Sequence, residues 1–162
     1  MGFSPWGMLS FMQPLRSKLD TYAITISTFL QHRHFQREAN TELFLNTLLR
    51  YQAQGKFQLH GFAIMPTHVH LLITPAVDQP TSRSIQLIKG GYSFAARDQQ
   101  KKEIWHSGHH EHRVRDLIDY ENQLRYIANN PPEDHLPSDY RYVHTHPSQT
   151  SIIDPCPPHL LR

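Results

Sequence analysis

The chain has a single cysteine, Cys156, among 162 residues. A lone thiol excludes a disulfide framework and the thiolate-rich zinc sites, and it points by default to a reducing, cytoplasmic setting. Long apolar runs are also missing, and none approaches the roughly 20 residues needed to cross a bilayer. The opening MGFSPWGMLSFMQPLRSKLD has no positive charge before Arg16, no small-residue cleavage pattern and a proline at Pro14, so no secretory leader and no membrane association are expected. Charge of either sign is scarce: charged residues make up 19% and the formal net charge is +2, a weak bulk pull towards an anionic partner. Histidine, by contrast, is abundant, with thirteen copies. The length suits one domain with tails.

Residues 21–29, TYAITISTF, alternate with period two: Tyr22, Ile24 and Ile26 share one face and Ala23, Thr25 and Ser27 the other, which predicts a strand. Asn40 is the expected cap of a first helix, with Glu42 in its first turn and Phe44, Leu45, Leu48 and Tyr51 at helical spacing up to Gly55. Two strands follow, Phe57 to Met65 and HVHLLIT, and the tight Pro66-Thr67 break between them predicts a hairpin. A second helix is expected from Thr81 to Arg97, bent at Gly90-Gly91. A fourth strand falls near Trp105 or near His112 to Val114, and a last helix, Asp119 to Asn130, is expected to end at Pro131. The order strand, helix, hairpin, helix, strand, helix fits an α+β fold of ferredoxin-like type: a four-stranded antiparallel sheet with helices packed on one face. The expected organisation is an N-terminal extension (1–20), one domain (21–131) and a proline-rich C-terminal tail (132–162). Seven of the twelve prolines lie in the last 32 residues, so this tail is expected to be extended or mobile.

In the strand HVHLLIT, His68 and His70 share one face while Val69, Leu71 and Ile73 share the other. The apolar face goes to the core and both imidazoles to the opposite side. Residues i and i+2 on one strand face are roughly 6 to 7 Å apart, close enough for two imidazoles to converge on one divalent cation. The pattern itself is common: His32-x-His34 and His144-x-His146 repeat it, at a strand end and in a proline-bounded tail. Two imidazoles alone bind weakly and need an oxygen donor. On the last helix Tyr120, Leu124 and Ile127 cluster on the buried side, whereas Tyr126 is aimed elsewhere, and Tyr126 and Asn130 stand one turn apart on nearly one line. A nucleophile and a ligand can therefore arrive together, the alternatives being a half-exposed aromatic covering the sheet edge for Tyr126 and a helix-ending Asn before Pro for Asn130.

Residues 81–115 carry seven cations, Arg83, Lys89, Arg97, Lys101, Lys102, Arg113 and Arg115, against Asp98, Glu103 and Glu111. That local excess exceeds the net charge of the whole chain, which suggests phosphate binding, with a solvated helix face as the alternative.

Taken together, MPTHVHLLI (residues 65–73), IWHSGHHEHRVRD (104–116) and RYIANNP (125–131) resemble the single-tyrosine HUH transposases of the insertion-sequence type, and more closely their REP-associated branch. The resemblance implies a ferredoxin-like enzyme that cuts single-stranded DNA beside hairpins. It matches the family's metal-binding histidine pair to His68 and His70, its nucleophile to Tyr126 and its amide metal ligand to Asn130. It further implies a 5′-phosphotyrosine intermediate, Mg²⁺ or Mn²⁺ as cofactor, single-stranded or hairpin DNA as partner, and action as a monomer or homodimer. Arg83, Lys89, Arg97, Arg113 and Arg115 are the candidate DNA contacts, with Arg113 and Arg115 nearest the scissile phosphate. Thr67 stands where the family has Asn, and Pro132 where Asn-Pro-Val usually continues. A non-catalytic hairpin-binding relic and a metal-dependent phosphodiesterase are the competing readings.

Overall fold

The computed structural model describes residues 19–146 and 152–162, so all but the end of the expected N-terminal extension lies outside the described residues. Eight principal elements follow in order: β1 (Tyr22–Ser27), α1 (Glu38–Ala53), β2 (Phe57–Ile64), β3 (His68–Pro75), α2 (Thr81–Ala95), β4 (His110–Arg113), α3 (Leu117–Glu133) and β5 (Val143–His144). The strands form one antiparallel sheet in the order β4-β1-β3-β2-β5. The first six elements run in the β-α-β-β-α-β order of the ferredoxin-like motif.

The sheet has a core on each face. Ile24, Ile26, Val69, Leu71 and Ile73 point to the side covered by Phe44 and Leu48 of α1 and Ile85, Ile88 and Tyr92 of α2. Ala23, Ala63 and Leu72 point to the other side, where Tyr120 and Ile127 of α3 pack. Among the described residues the sheet has five strands where four are expected, and α3, expected as a separate catalytic helix near the C-terminal end, lies opposite α1 and α2. The third helix is needed there because a β3 strand buried on both faces must be covered on both.

A β-bulge at His60 sets which β2 residues meet α3. Leu59 pairs with Ile73 and Gly61 with Leu72, leaving His60 as the extra residue. Beyond the bulge Phe62 and Ile64 stay with the first core, and Gly61 and Ala63 turn to α3. A Cβ on Gly61 would come within 2.8 Å of Leu124 Cδ2, so the missing side chain permits the close approach of the helix.

Local differences from the sequence expectations have local causes. The first helix begins at Glu38, two residues before Asn40, whose Nδ2 donates instead to the His34 carbonyl at 2.8 Å. The α2 helix runs continuously through Gly90-Gly91, and Gly91 serves contact with α1, since a Cβ there would meet Tyr51 Oη at 2.3 Å. Both suggested places for the fourth strand contribute: β4 covers His110–Arg113, and Trp105 forms an isolated bridge with Thr28. The α3 helix continues past Pro131 to Glu133, because the carbonyls of Asn130, Pro131 and Pro132 receive the N–H groups of Asp134, Leu136 and His135. Prolines in a last turn remove donors but leave those carbonyls able to accept. The C-terminal segment, expected to be extended or mobile, adds β5 to the β2 edge and brings Tyr142, Ile153 and Leu160 into the two cores.

Candidate active site

The alternation of β3 places His68 and His70 on the α3 face, as the sequence predicts, with ring centroids 4.7 Å apart. The neighbouring strand and the hairpin turn fix both rings. Thr25 of β1 is the register partner of His70, and its Oγ1 lies 3.0 Å from His70 Nδ1. Thr67 Oγ1 likewise lies 3.0 Å from His68 Nδ1. With each Nδ1 engaged by a hydroxyl, both Nε2 atoms are left to face α3.

The α3 helix meets them with a line of polar side chains. Asp116 caps the helix by accepting from the Asp119 N–H at 2.8 Å. From there Asp119, Gln123, Tyr126 and Asn130 follow at i, i+4, i+7 and i+11, one stripe on a 3.6-residue helix. Tyr120, on a different side, is core, as its periodicity predicts. Tyr126 is 55% exposed, and its ring stands edge-on to His70 at 5.3 Å between centroids. One turn further on, Asn130 is buried, with Oδ1 3.3 Å from His68 Nε2 and Nδ2 3.3 Å from the Tyr126 carbonyl.

His70 Nε2 is buried and has no hydrogen-bond partner among the described residues. Burial, helped by the neighbouring His68, pushes this imidazole down to about 4; the Asn130 side chain and the Asp134 carboxylate act the other way and are outweighed. Asn130 lies near enough to favour the charged ring without making a hydrogen bond of normal geometry to it. A neutral imidazole with a buried, unused lone pair is the form that ligates a metal. Among the described residues no three His, Cys, Asp or Glu side chains cluster, so a third protein donor has to come from elsewhere. Asn130 Oδ1 is placed to supply it, and two imidazoles with an amide oxygen are a donor set that can hold a divalent cation.

The structure thus brings His68, His70, Tyr126 and Asn130 together and sets the cations apart from them. Arg83, Lys89 and Arg97 belong to α2 or its end, on the opposite layer: Arg83 bonds Gln86, Lys89 bonds the carbonyls of His106 and Gly108, and Arg97 lies over the Phe94 ring. Arg113 pairs with Asp20 at 3.2 Å, and Arg115 lies 3.7 Å from Asp119 with its side chain largely exposed. The other two His-x-His pairs do different work. His34 bonds the Tyr92 hydroxyl at 2.6 Å, and His144 packs on Phe62. Sequence reasoning missed Thr25 as a support for His70. The signal was its place on the Ala23, Thr25, Ser27 face, which becomes informative only with the β1–β3 register.

Residues 18–130 match the family described as IS200-like transposase. The chain belongs to the IS200-like transposase family and is a DNA transposase. No curated protein matches it. Among solved structures it is similar to a REP-associated tyrosine transposase bound to a REP hairpin, at 19% identity and TM-score 0.67 over 82% of each chain. It is also similar to a crystal structure assigned as a transposase from Deinococcus radiodurans R1, at 19% identity and TM-score 0.52, over 69% of this chain and 91% of that one. At these identities both show a shared fold. Among the described residues no helix is long and apolar enough to cross a membrane.

Proposed function

We propose that this transposase cuts and rejoins single-stranded DNA beside hairpins by transesterification through Tyr126. The observation that carries the proposal is the convergence of the exposed Tyr126 ring, the unpartnered His70 Nε2, and Asn130 Oδ1 beside His68. The Tyr126 oxygen attacks a phosphate, its O–P bond forms, and the bond from phosphorus to the 3′-oxygen breaks. The products are a 5′-phosphotyrosine and a free 3′-hydroxyl, and the phosphotyrosine keeps the bond energy for rejoining, so no nucleotide triphosphate is needed.

A phenol, with a pKa near roughly 10, is a weak nucleophile at neutral pH, and the phosphate repels its anion. A divalent cation held by His68, His70 and Asn130 would supply the charge that polarises the phosphoryl oxygen. The chain's own contribution is positional. Thr25 and Thr67 orient the imidazoles, the helical turn from Tyr126 to Asn130 sets nucleophile and amide at a fixed spacing, and the half-open site leaves Tyr126 reachable by a strand without secondary structure. The hairpin bound by the structural relative makes hairpin DNA with single-stranded flanks the first substrate to test. Arg113, at the end of β4, and Arg115, just before α3, are proposed phosphate contacts, while Arg83, Lys89 and Arg97 would engage DNA on the far layer.

The test uses labelled single-stranded hairpin DNA with Mn²⁺ or Mg²⁺, followed by a denaturing gel. Label should stay on the protein, vanish in Tyr126→Phe, and leave hairpin binding by that variant intact. Cleavage by Tyr126→Phe would point to water as the attacking group. Hairpin binding with no adduct from the native protein would point to a non-catalytic relic.

A further inference from the structure

The polar stripe of α3 does not end at Tyr126. Two turns towards the N-terminus, the Asp119 carboxylate receives His112 Nε2 at 2.8 and 3.0 Å to its two oxygens, the Arg115 backbone N–H at 3.0 Å and Gln123 Nε2 at 3.3 Å. Burial works to raise this carboxyl, yet the Arg115 N–H, the His112 ring and Gln123 outweigh it and hold Asp119 below the usual range, as an anion. An anion of this kind fixes the imidazole tautomer. Nε2 must carry the hydrogen it donates, so Nδ1 holds the lone pair.

That ring is 45% exposed and also borders a cleft. His112, Gln123, Tyr126, Ile127, His70, Thr25 and His110 border one cleft of about 140 Å³. Register places His110 opposite Thr25, in the row of His70, and His112 opposite Ala23, one row further along the same face. His112 therefore stands two strands and one row from His70, across the cleft that Gln123 and Tyr126 of α3 also border. Side chains on a helix lean towards its N-terminus, so the Tyr126 ring inclines towards the Gln123 and His112 end.

We infer that His112, oriented by Asp119, is the proton acceptor for Tyr126, an inference that rests on the proposed tyrosine chemistry. As the phenol oxygen bonds to phosphorus, its proton passes through a water in the cleft to His112 Nδ1. The 3′-oxygen that leaves with the electron pair of the broken bond takes a proton from solvent. In rejoining, the imidazolium returns its proton to the departing phenolate. Asp119 is a positioning residue: it touches no reacting atom, selects the tautomer and stabilises the imidazolium. The other charged and titratable groups around the ring are His110, Glu111 and Arg113 on its own strand, Arg115 before α3, and His70 across the cleft. Glu111 is tied to Thr81 and lies 3.5 Å from His109, and Arg113 is paired with Asp20, which leaves His112 as the imidazole in the cleft with a carboxylate behind it.

A purely structural alternative makes His112–Asp119 a staple between β4 and α3, and single-turnover adduct formation across pH separates the two. In the native protein a Tyr126-dependent adduct should form at a rate that rises with pH and then levels off. His112→Gln should slow it by on the order of 100-fold, with hairpin binding and thermal unfolding unchanged. Its rate should keep climbing with pH where the native rate has levelled off. Added imidazole should partly restore His112→Gly, and Asp119→Asn should show the same loss of the plateau. A native pH profile in His112→Gln would overturn the inference while leaving the tyrosine chemistry standing. So would a loss that follows unfolding and ignores imidazole. Absence of any adduct from the native protein would overturn both.

Discussion

Thr25 Oγ1 lies 3.0 Å from His70 Nδ1, across the β1–β3 ladder, and the other ring nitrogen of His70 is buried with no hydrogen-bond partner among the described residues. Thr67 does the same for His68 from the hairpin turn. Two hydroxyls thus do the orienting that carboxylates or carbonyls do in many metal sites.

Thr25→Val and Thr67→Val keep the side-chain shape and remove the hydroxyl. Each should weaken Mn²⁺ binding by about 10- to 100-fold, because the ring loses its orientation. Titration calorimetry of the metal alone measures this without DNA. Native Mn²⁺ affinity in both variants would mean that the threonines do not orient the ligands.

Acid should destabilise the metal-free protein. His70 and His60 are both held below the ordinary histidine value, chiefly by burial, so the unfolded chain takes up protons before the folded one. Their contribution is therefore complete above about 6.5 and lost as pH falls towards about 4, the folded value for His70. For His70 alone the loss amounts to roughly 3 kcal/mol, counted at about 1.4 kcal/mol per unit. Urea unfolding in chelator, from about pH 7 to about pH 4, should show a falling midpoint; a flat one would contradict the burial argument.

The two glycines of α2 should behave oppositely. Nothing stands within 4 Å of a Cβ built on Gly90, so Gly90→Ala should stabilise by about 0.5 to 1 kcal/mol through helix propensity. A Cβ on Gly91 would press on Tyr51 at Oη, Cε2 and Cζ, so Gly91→Ala must displace that ring and should cost about 1 to 3 kcal/mol. Thermal unfolding of the pair decides whether the second glycine serves helix contact.

The placement of the candidate site residues was legible in the sequence where one element's periodicity sufficed. Alternation separated His68 and His70 from Val69, Leu71 and Ile73, and helical angles separated Tyr126 from Tyr120; both separations are present in the structure. What stayed hidden depends on contacts between distant segments. The two-residue β5 has no pattern of its own and exists because β2 offers a free edge about 80 residues earlier in the chain. Thr25 gains its meaning from register with His70, and His112 from a carboxylate on the next helix. Proline was over-read as a stop: Pro131 and Pro132 stay helical because later N–H groups reach the carbonyls around them.

The central claim is that one named oxygen becomes bonded to DNA, and mass spectrometry of the trapped complex reads this directly. After reaction with hairpin DNA and Mn²⁺, nuclease trimming and proteolysis should yield the Tyr126 peptide carrying a 5′-linked nucleotide, and the free DNA product should end in a 3′-hydroxyl. A nucleotide on any other residue, or cleavage with no modified peptide, would contradict the account.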